Sequence, residues 1–128
     1  MKHVLVIDDD EAVALTLSTA LRRGGYDVAT AADGKLGVAW ARKQAFDLVI
    51  TDLIMPNQDG IETIIALRRL RPDLKVMAIS GGGGLLGTEY LARVVGNLGA
   101  IRFLTKPCTQ DQLLSAVSQV LADAEPIR

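Results

Sequence analysis

Residues 46–60, FDLVITDLIMPNQDG, constrain the fold more than any other stretch of this chain. Leu48, Val49 and Ile50 are an unbroken apolar run of strand length. Such a run reads as a strand covered on both faces, the usual state of a central parallel strand. It stops at Thr51 and Asp52, and after Met55-Pro56 the residues Asn57, Gln58, Asp59 and Gly60 turn the chain into a helix. A carboxylate is thereby delivered to the C-terminal end of a buried strand, where open α/β sheets place their ligand sites. A single Asp in that position also suits a cap or a turn, so its meaning depends on what the other strands deliver.

The same pattern recurs along the chain. Residues 3–7 (HVLVI) form a first strand that ends in Asp8, Asp9, Asp10 and Glu11. Asp10 and Glu11 suit the positive end of a following helix. Val13, Leu17, Ala20 and Leu21 make a helical face, and Gly24-Gly25 closes it. A second strand covers 26–31, and Asp33 caps a second helix to about Lys43. Two inward faces are open for that helix: Gly37, Val38 and Ala41, or Leu36, Ala39 and Trp40. The third strand, 47–52, is followed by Asp59 and Glu62 at capping-box spacing and by a helix with Ile61, Ile64, Ile65 and Leu67. Arg71-Pro72-Asp73 stops it. A fourth strand, 76–80 (VMAIS), ends in the Ser80 hydroxyl and runs into four glycines, Gly81–Gly84. A fourth helix over roughly 88–98 leads to a fifth strand, 101–105, which ends at Lys106-Pro107. Thr109 and Gln112 then form a capping box for a last helix with Leu113, Leu114, Val117, Val120 and Leu121 inward.

Five β-α units imply a parallel sheet with helices on both faces. Right-handed crossovers leave two main strand orders, 2-1-3-4-5 or a simple unidirectional winding. The chain has 128 residues, which fits one domain. We assign it to 1–125, with 126–128 as a tail. A net charge of −1 gives no basic surplus for direct nucleic-acid binding. One cysteine, Cys108, excludes an internal disulfide and suits a reducing compartment. Cys108 has no partner at metal-ligand spacing and His3 is the only histidine, so a zinc site is not expected. There is no signal peptide or membrane span, so the expected location is the cytoplasm.

The strand ends carry the chemistry. In the order 2-1-3-4-5, strands one, three, four and five are neighbours, and Asp8, Asp9, Asp52, Ser80 and Lys106 gather at one sheet edge. Three carboxylates so placed repel one another, and a hard divalent cation relieves them. Mg²⁺ suits the role because it takes oxygen ligands and keeps waters that a phosphoryl group can replace. An ammonium and a hydroxyl suit phosphoryl oxygens. Together these are the parts of a phosphoryl-accepting site.

This set of residues resembles the receiver domain of two-component response regulators. The likeness rests on Asp8-Asp9 after strand one, Asp52 with Met55-Pro56 and Asp59-Gly60 after strand three, Ser80 ending strand four, and Phe103 followed by Lys106-Pro107. It covers nearly the whole chain. The resemblance implies a flavodoxin-like three-layer (βα)5 domain with a five-stranded parallel sheet, order 2-1-3-4-5. It implies that Asp52 accepts the phosphoryl group, from a sensor histidine kinase or a histidine phosphotransfer protein. Asp9, Asp52 and the backbone carbonyl of Ile54 would bind Mg²⁺, with Asp8 acting through a metal-bound water. Lys106 would pair with Asp52 or its phosphoryl group. Ser80 and Phe103 would be the switch pair acting on the fourth helix, fifth strand and fifth helix, and Lys106-Pro107 would be a cis peptide. Such a domain signals and catalyses only its own phosphorylation and dephosphorylation.

The chain departs from that pattern in two places. The segment between Ser80 and Lys106 is about one helical turn longer than in most receivers, and it contains the glycine run. Cys108 stands where a bulky apolar residue commonly follows Pro107, which suits a packing role. A degenerate receiver that only binds partners is disfavoured by the complete acceptor set, and two rivals of other kinds remain in view. Asp8-x-Asp10 also resembles the nucleophile motif of haloacid-dehalogenase-like phosphatases, although no cap segment accompanies it. The glycine run also suits the phosphate cradle of a nucleotide-binding module, but it lacks the Lys-Ser/Thr of a phosphate-binding loop.

Overall fold

The structure, a computed structural model, describes residues 1–53, 60–81, 88–100 and 102–122. Strands and helices alternate: β1 (His3–Ile7), α1 (Glu11–Arg23), β2 (Asp27–Ala31), α2 (Gly34–Lys43), β3 (Leu48–Asp52), α3 (Gly60–Leu70), β4 (Val76–Ser80), α4 (Thr88–Asn97), β5 (Arg102–Thr105) and α5 (Gln110–Ala122). The five strands are parallel in the order β2-β1-β3-β4-β5. This is the flavodoxin-like arrangement, and it excludes the unidirectional winding. Its switch point lies between β1 and β3.

The residues explain the layers. Side chains alternate across a strand, so each strand feeds two cores. Leu5, Ile7, Val49, Val76 and Ala78 face a cluster completed by Val38 and Ala41 of α2, Ile64 and Leu67 of α3, and Val95 of α4. Val4, Val6, Leu48, Ile50, Met77 and Ile79 face the other cluster, with Leu17 and Leu21 of α1 and Leu113, Val117 and Val120 of α5. Every residue of β3 and β4 is buried, as their unbroken apolar runs require.

The helix starts follow local chemistry. Asp10 caps α1 by accepting from the Ala12 and Val13 N–H groups. Asp33 caps α2 through Leu36 N–H at 2.9 Å. Thr109 and Gln112 exchange both bonds of the capping box, 2.8 and 3.0 Å. The expected box at Asp59 and Glu62 involves a residue outside the described ones, as does Ile101 at the start of the fifth strand.

The open choice on α2 resolves to Gly37, Val38 and Ala41, which are buried, while Leu36 and Trp40 are exposed. Gly37 is the reason: a Cβ there would collide with the Ile7 side chain, so only glycine lets α2 lie this close to β1. On α3 the buried face is Gly60, Thr63, Ile64 and Leu67, leaving the expected Ile61 and Ile65 half-covered.

Candidate functional site

β1, β3, β4 and β5 end side by side, and each delivers a polar group there. Asp8 follows β1 and is buried, with Oδ1 accepting from the Asp10 N–H at 2.9 Å. Asp9 is exposed. Asp52 ends β3 and is buried. Ser80 ends β4, also buried, and its carbonyl accepts from the Lys106 N–H at 2.6 Å. That backbone bond carries the β4–β5 pairing one step past Thr105, the partner of Ser80 in the register, and sets the base of the lysine side chain.

The Lys106 ammonium then reaches across the edge of the sheet. It donates to Asp8 Oδ2 at 2.9 Å and lies 3.3 Å from Asp52 Oδ2. Burial by itself lowers the lysine pKa, but the hydrogen bond to Asp8 and the charges of Asp52 and Asp8 more than offset it. The pKa therefore stands above the ordinary lysine value, and the group is a fixed cation at neutral pH. Lys106-Pro107 is a cis peptide, as the sequence reading expected.

Asp8, Asp9 and Asp52 can place one carboxylate oxygen each within 4.8 Å of one another. Three hard oxygen donors at that spacing, two of them on buried residues, fit Mg²⁺ better than a softer metal. Ile54, expected to add its carbonyl, lies outside the described residues, as do Met55, Pro56 and Asp59. Phe103 is half-buried and packs against the core on the α2–α3 face, opposite Ala78 in the β4–β5 register. Asp10, the second acid of the Asp8-x-Asp10 phosphatase reading, caps α1 through its Oδ1. Glycines 82–84 are outside the described residues.

Sequence reasoning did not anticipate that Lys106 would sit nearer Asp8 than Asp52. It also missed Thr51, a fully buried hydroxyl next to Asp52 that donates to the Asp52 carbonyl at 3.0 Å. The available signal was a Thr interrupting the apolar side of the central strand.

Comparison with known proteins agrees with this geometry. The family profile of the response regulator receiver domain matches residues 4–118. The DNA-binding transcriptional regulator NtrC of Azospirillum brasilense is 32% identical over 123 residues, 96% of this chain and 25% of that protein. The chain spans between 24% and 50% of the length of the curated relatives it matches first. Chemotaxis protein CheY4 of Vibrio cholerae superposes with a TM-score of 0.85 at 30% identity, covering 94% of this chain and 98% of that one. Response regulator TrrA of Thermotoga maritima, solved in complex with Mg²⁺ and BeF, superposes with a TM-score of 0.82 at 26% identity, covering 94% and 99%.

Proposed function

Because the chain belongs to the response regulator receiver domain family, we propose that it accepts a phosphoryl group on Asp52 and relays its presence to a partner protein. The observation that carries this reading is the Lys106 ammonium set between Asp8 and Asp52, beside a third carboxylate, at the C-terminal edge of the sheet. The donor is a phosphohistidine of a sensor histidine kinase or a histidine phosphotransfer protein. An Asp52 carboxylate oxygen attacks phosphorus, the new O–P bond forms as the P–N bond breaks, and the electron pair leaves with the imidazole. Little covalent assistance is needed in such a transfer, so positioning and charge do most of the catalysis.

Asp9, Asp52 and the Ile54 carbonyl would hold Mg²⁺, with Asp8 acting through a water of the ion. The ion's chemistry is to neutralise charge on the phosphoryl oxygens. Lys106 supplies a second positive charge, and it is already oriented by Asp8. The Ser80 hydroxyl donates to a phosphoryl oxygen, and Phe103 follows it inward, altering the α4-β5-α5 surface. Water later hydrolyses the acyl phosphate and restores the carboxylate. The chain acts in this scheme as a signalling domain in the cytoplasm, and its contacts are with protein rather than with nucleic acid or membrane. Among the described residues no helix is long and apolar enough to cross a membrane.

The test is incubation with acetyl phosphate, with and without Mg²⁺, followed by mass mapping. One phosphoryl group on Asp52, dependent on the metal and absent from Asp52→Asn, is expected. Undiminished labelling of Asp52→Asn at another residue would overturn the assignment.

A further inference from the structure

The backbone on the exit side of Asp52 is held at four points. The Thr51 hydroxyl donates to the Asp52 carbonyl at 3.0 Å. Leu53 N–H donates to the Ile79 carbonyl at 3.1 Å, and the Leu53 carbonyl accepts from Gly60 N–H at 2.8 Å. Gly60 itself, buried at the start of α3, passes so close that a Cβ there would collide with the Asp52 carbonyl oxygen and the Leu53 Cα. Both peptide groups that follow Asp52 are therefore fixed, one by a side chain behind it and one by the helix ahead.

Thr51 is the informative residue. It faces the side of β3 that Val49 shares, and its register partners are Ile7 and Ala78. Valine has the same shape and would suit that apolar face without a polar atom to satisfy. A buried hydroxyl is costly unless it is bonded, and here its bond goes to the carbonyl of the neighbouring Asp52. Fixing that carbonyl limits the rotation of the Asp52 peptide, and with it the place where the carboxylate stands relative to Lys106 and Asp9.

We propose that Thr51 and Gly60 are positioning residues that clamp the Asp52 peptide from its two sides and so set the reach of the carboxylate. The proposal rests on the reading of Asp52 as the acceptor. It predicts that loss of the Thr51 hydroxyl weakens Mg²⁺ binding and slows transfer out of proportion to any loss of stability, because a small misplacement of a reacting group costs more in rate than in folding.

Three quantities decide it, measured on the full chain: Mg²⁺ affinity by calorimetry without a phosphodonor, the labelling rate at saturating acetyl phosphate, and the melting temperature in EDTA. Thr51→Val is expected to lower Mg²⁺ affinity and labelling rate each by about tenfold, with a melting temperature close to that of the parent. Thr51→Ser, which returns the hydroxyl, should restore both. Gly60→Ala should show the same losses more severely. Thr51→Ala replaces Thr51→Val if the latter fails to fold. Unchanged Mg²⁺ affinity and rate in Thr51→Val, or a Thr51→Ser variant as impaired as Thr51→Val, would overturn the clamp while leaving Asp52 as acceptor. Labelling of the parent protein away from Asp52 would overturn both.

Discussion

The Lys106 ammonium donates to Asp8 Oδ2 at 2.9 Å, joining residues 98 positions apart. This one bond ties the β5–α5 connection to the end of β1. The Asp8 side chain is fully buried and that of Lys106 is 21% exposed, so the pair is only partly screened by solvent. Breaking a partly buried pair by removing one member leaves the other desolvated and unpaired. Lys106→Met should therefore destabilise the protein by about 1–3 kcal/mol in urea unfolding. Lys106→Arg should recover part of that stability but not the labelling rate, since a planar guanidinium does not replace a compact ammonium. Equal stability of Lys106→Met and the parent would show that the bond contributes nothing to the fold.

Metal binding gives the second prediction. Asp8, Asp9 and Asp52 crowd their oxygens together, and the single Lys106 charge offsets only part of their mutual repulsion. Mg²⁺ at ten times its dissociation constant should add about 1.4 kcal/mol by linkage. Asp9→Asn removes the exposed member of the set without opening a cavity. The variant is expected to melt at or above the parent temperature in EDTA and to gain far less from Mg²⁺. A full Mg²⁺ response in Asp9→Asn would remove Asp9 from the metal site.

How legible these features were depends on the kind of signal each one leaves. The buried runs of β3 and β4 are readable because burial on both faces requires apolar residues at every position. The pattern of runs left two strand orders open, and the family resemblance pointed to the one observed; with that order, the gathering of Asp8, Asp52, Ser80 and Lys106 follows from where each run ends. The α2 face was not decidable, because its inward residues, Gly37 and Ala41, carry almost no hydrophobic signal while the exposed Leu36 and Trp40 carry most of it. Steric fit against Ile7 made that choice. Thr63 on α3 was missed for a related reason: a polar residue that is fully buried looks like a surface position in a periodicity. The preference of Lys106 for Asp8 depends on sub-ångström placement across neighbouring strand ends, which no spacing encodes.

Cys108 provides a pH-dependent test. The residue is half-buried against the α1–α5 core. Burial pushes its thiol above the ordinary value of 9.0, while a hydrogen bond with its own backbone and the Lys106 charge only partly oppose this. The folded state therefore holds the thiol proton at pH values where the unfolded chain has released it. By linkage, this group's contribution to stability falls as pH rises from 9.0 towards the folded pKa, and is unchanged below that window. Cys108→Ser should flatten that part of the stability profile. Iodoacetamide should alkylate the native thiol more slowly than the urea-unfolded one, with a rate inflection at higher pH. An inflection at or below 9.0 in the native protein would contradict burial as the controlling effect.

The proposed switch can be tested without a phosphodonor by adding beryllofluoride, which mimics the phosphoryl group. Ser80 is buried at the end of β4, and its carbonyl already ties β4 to Lys106. Movement of its hydroxyl toward a new oxygen therefore pulls on the same strand end that positions the lysine. Phe103 lies two register steps before Thr105 and is half-covered by the core of the α2–α3 face, so an inward turn of its ring would bury more of it. A ring without a hydroxyl forms no hydrogen bond at either end of that motion, and the coupling must come from packing. A two-state element biased in this way should respond locally first. Amide exchange is expected to slow at Gly81, in the first turn of α4 and along β5 when Mg²⁺ and beryllofluoride are added. Exchange in α2, on the far side of β3, should change little. Ser80→Ala should bind beryllofluoride yet lose most of the response in α4 and β5, while Phe103→Leu should keep the response at Gly81 and lose it in β5. A full response in Ser80→Ala would show that the signal leaves Asp52 by another route.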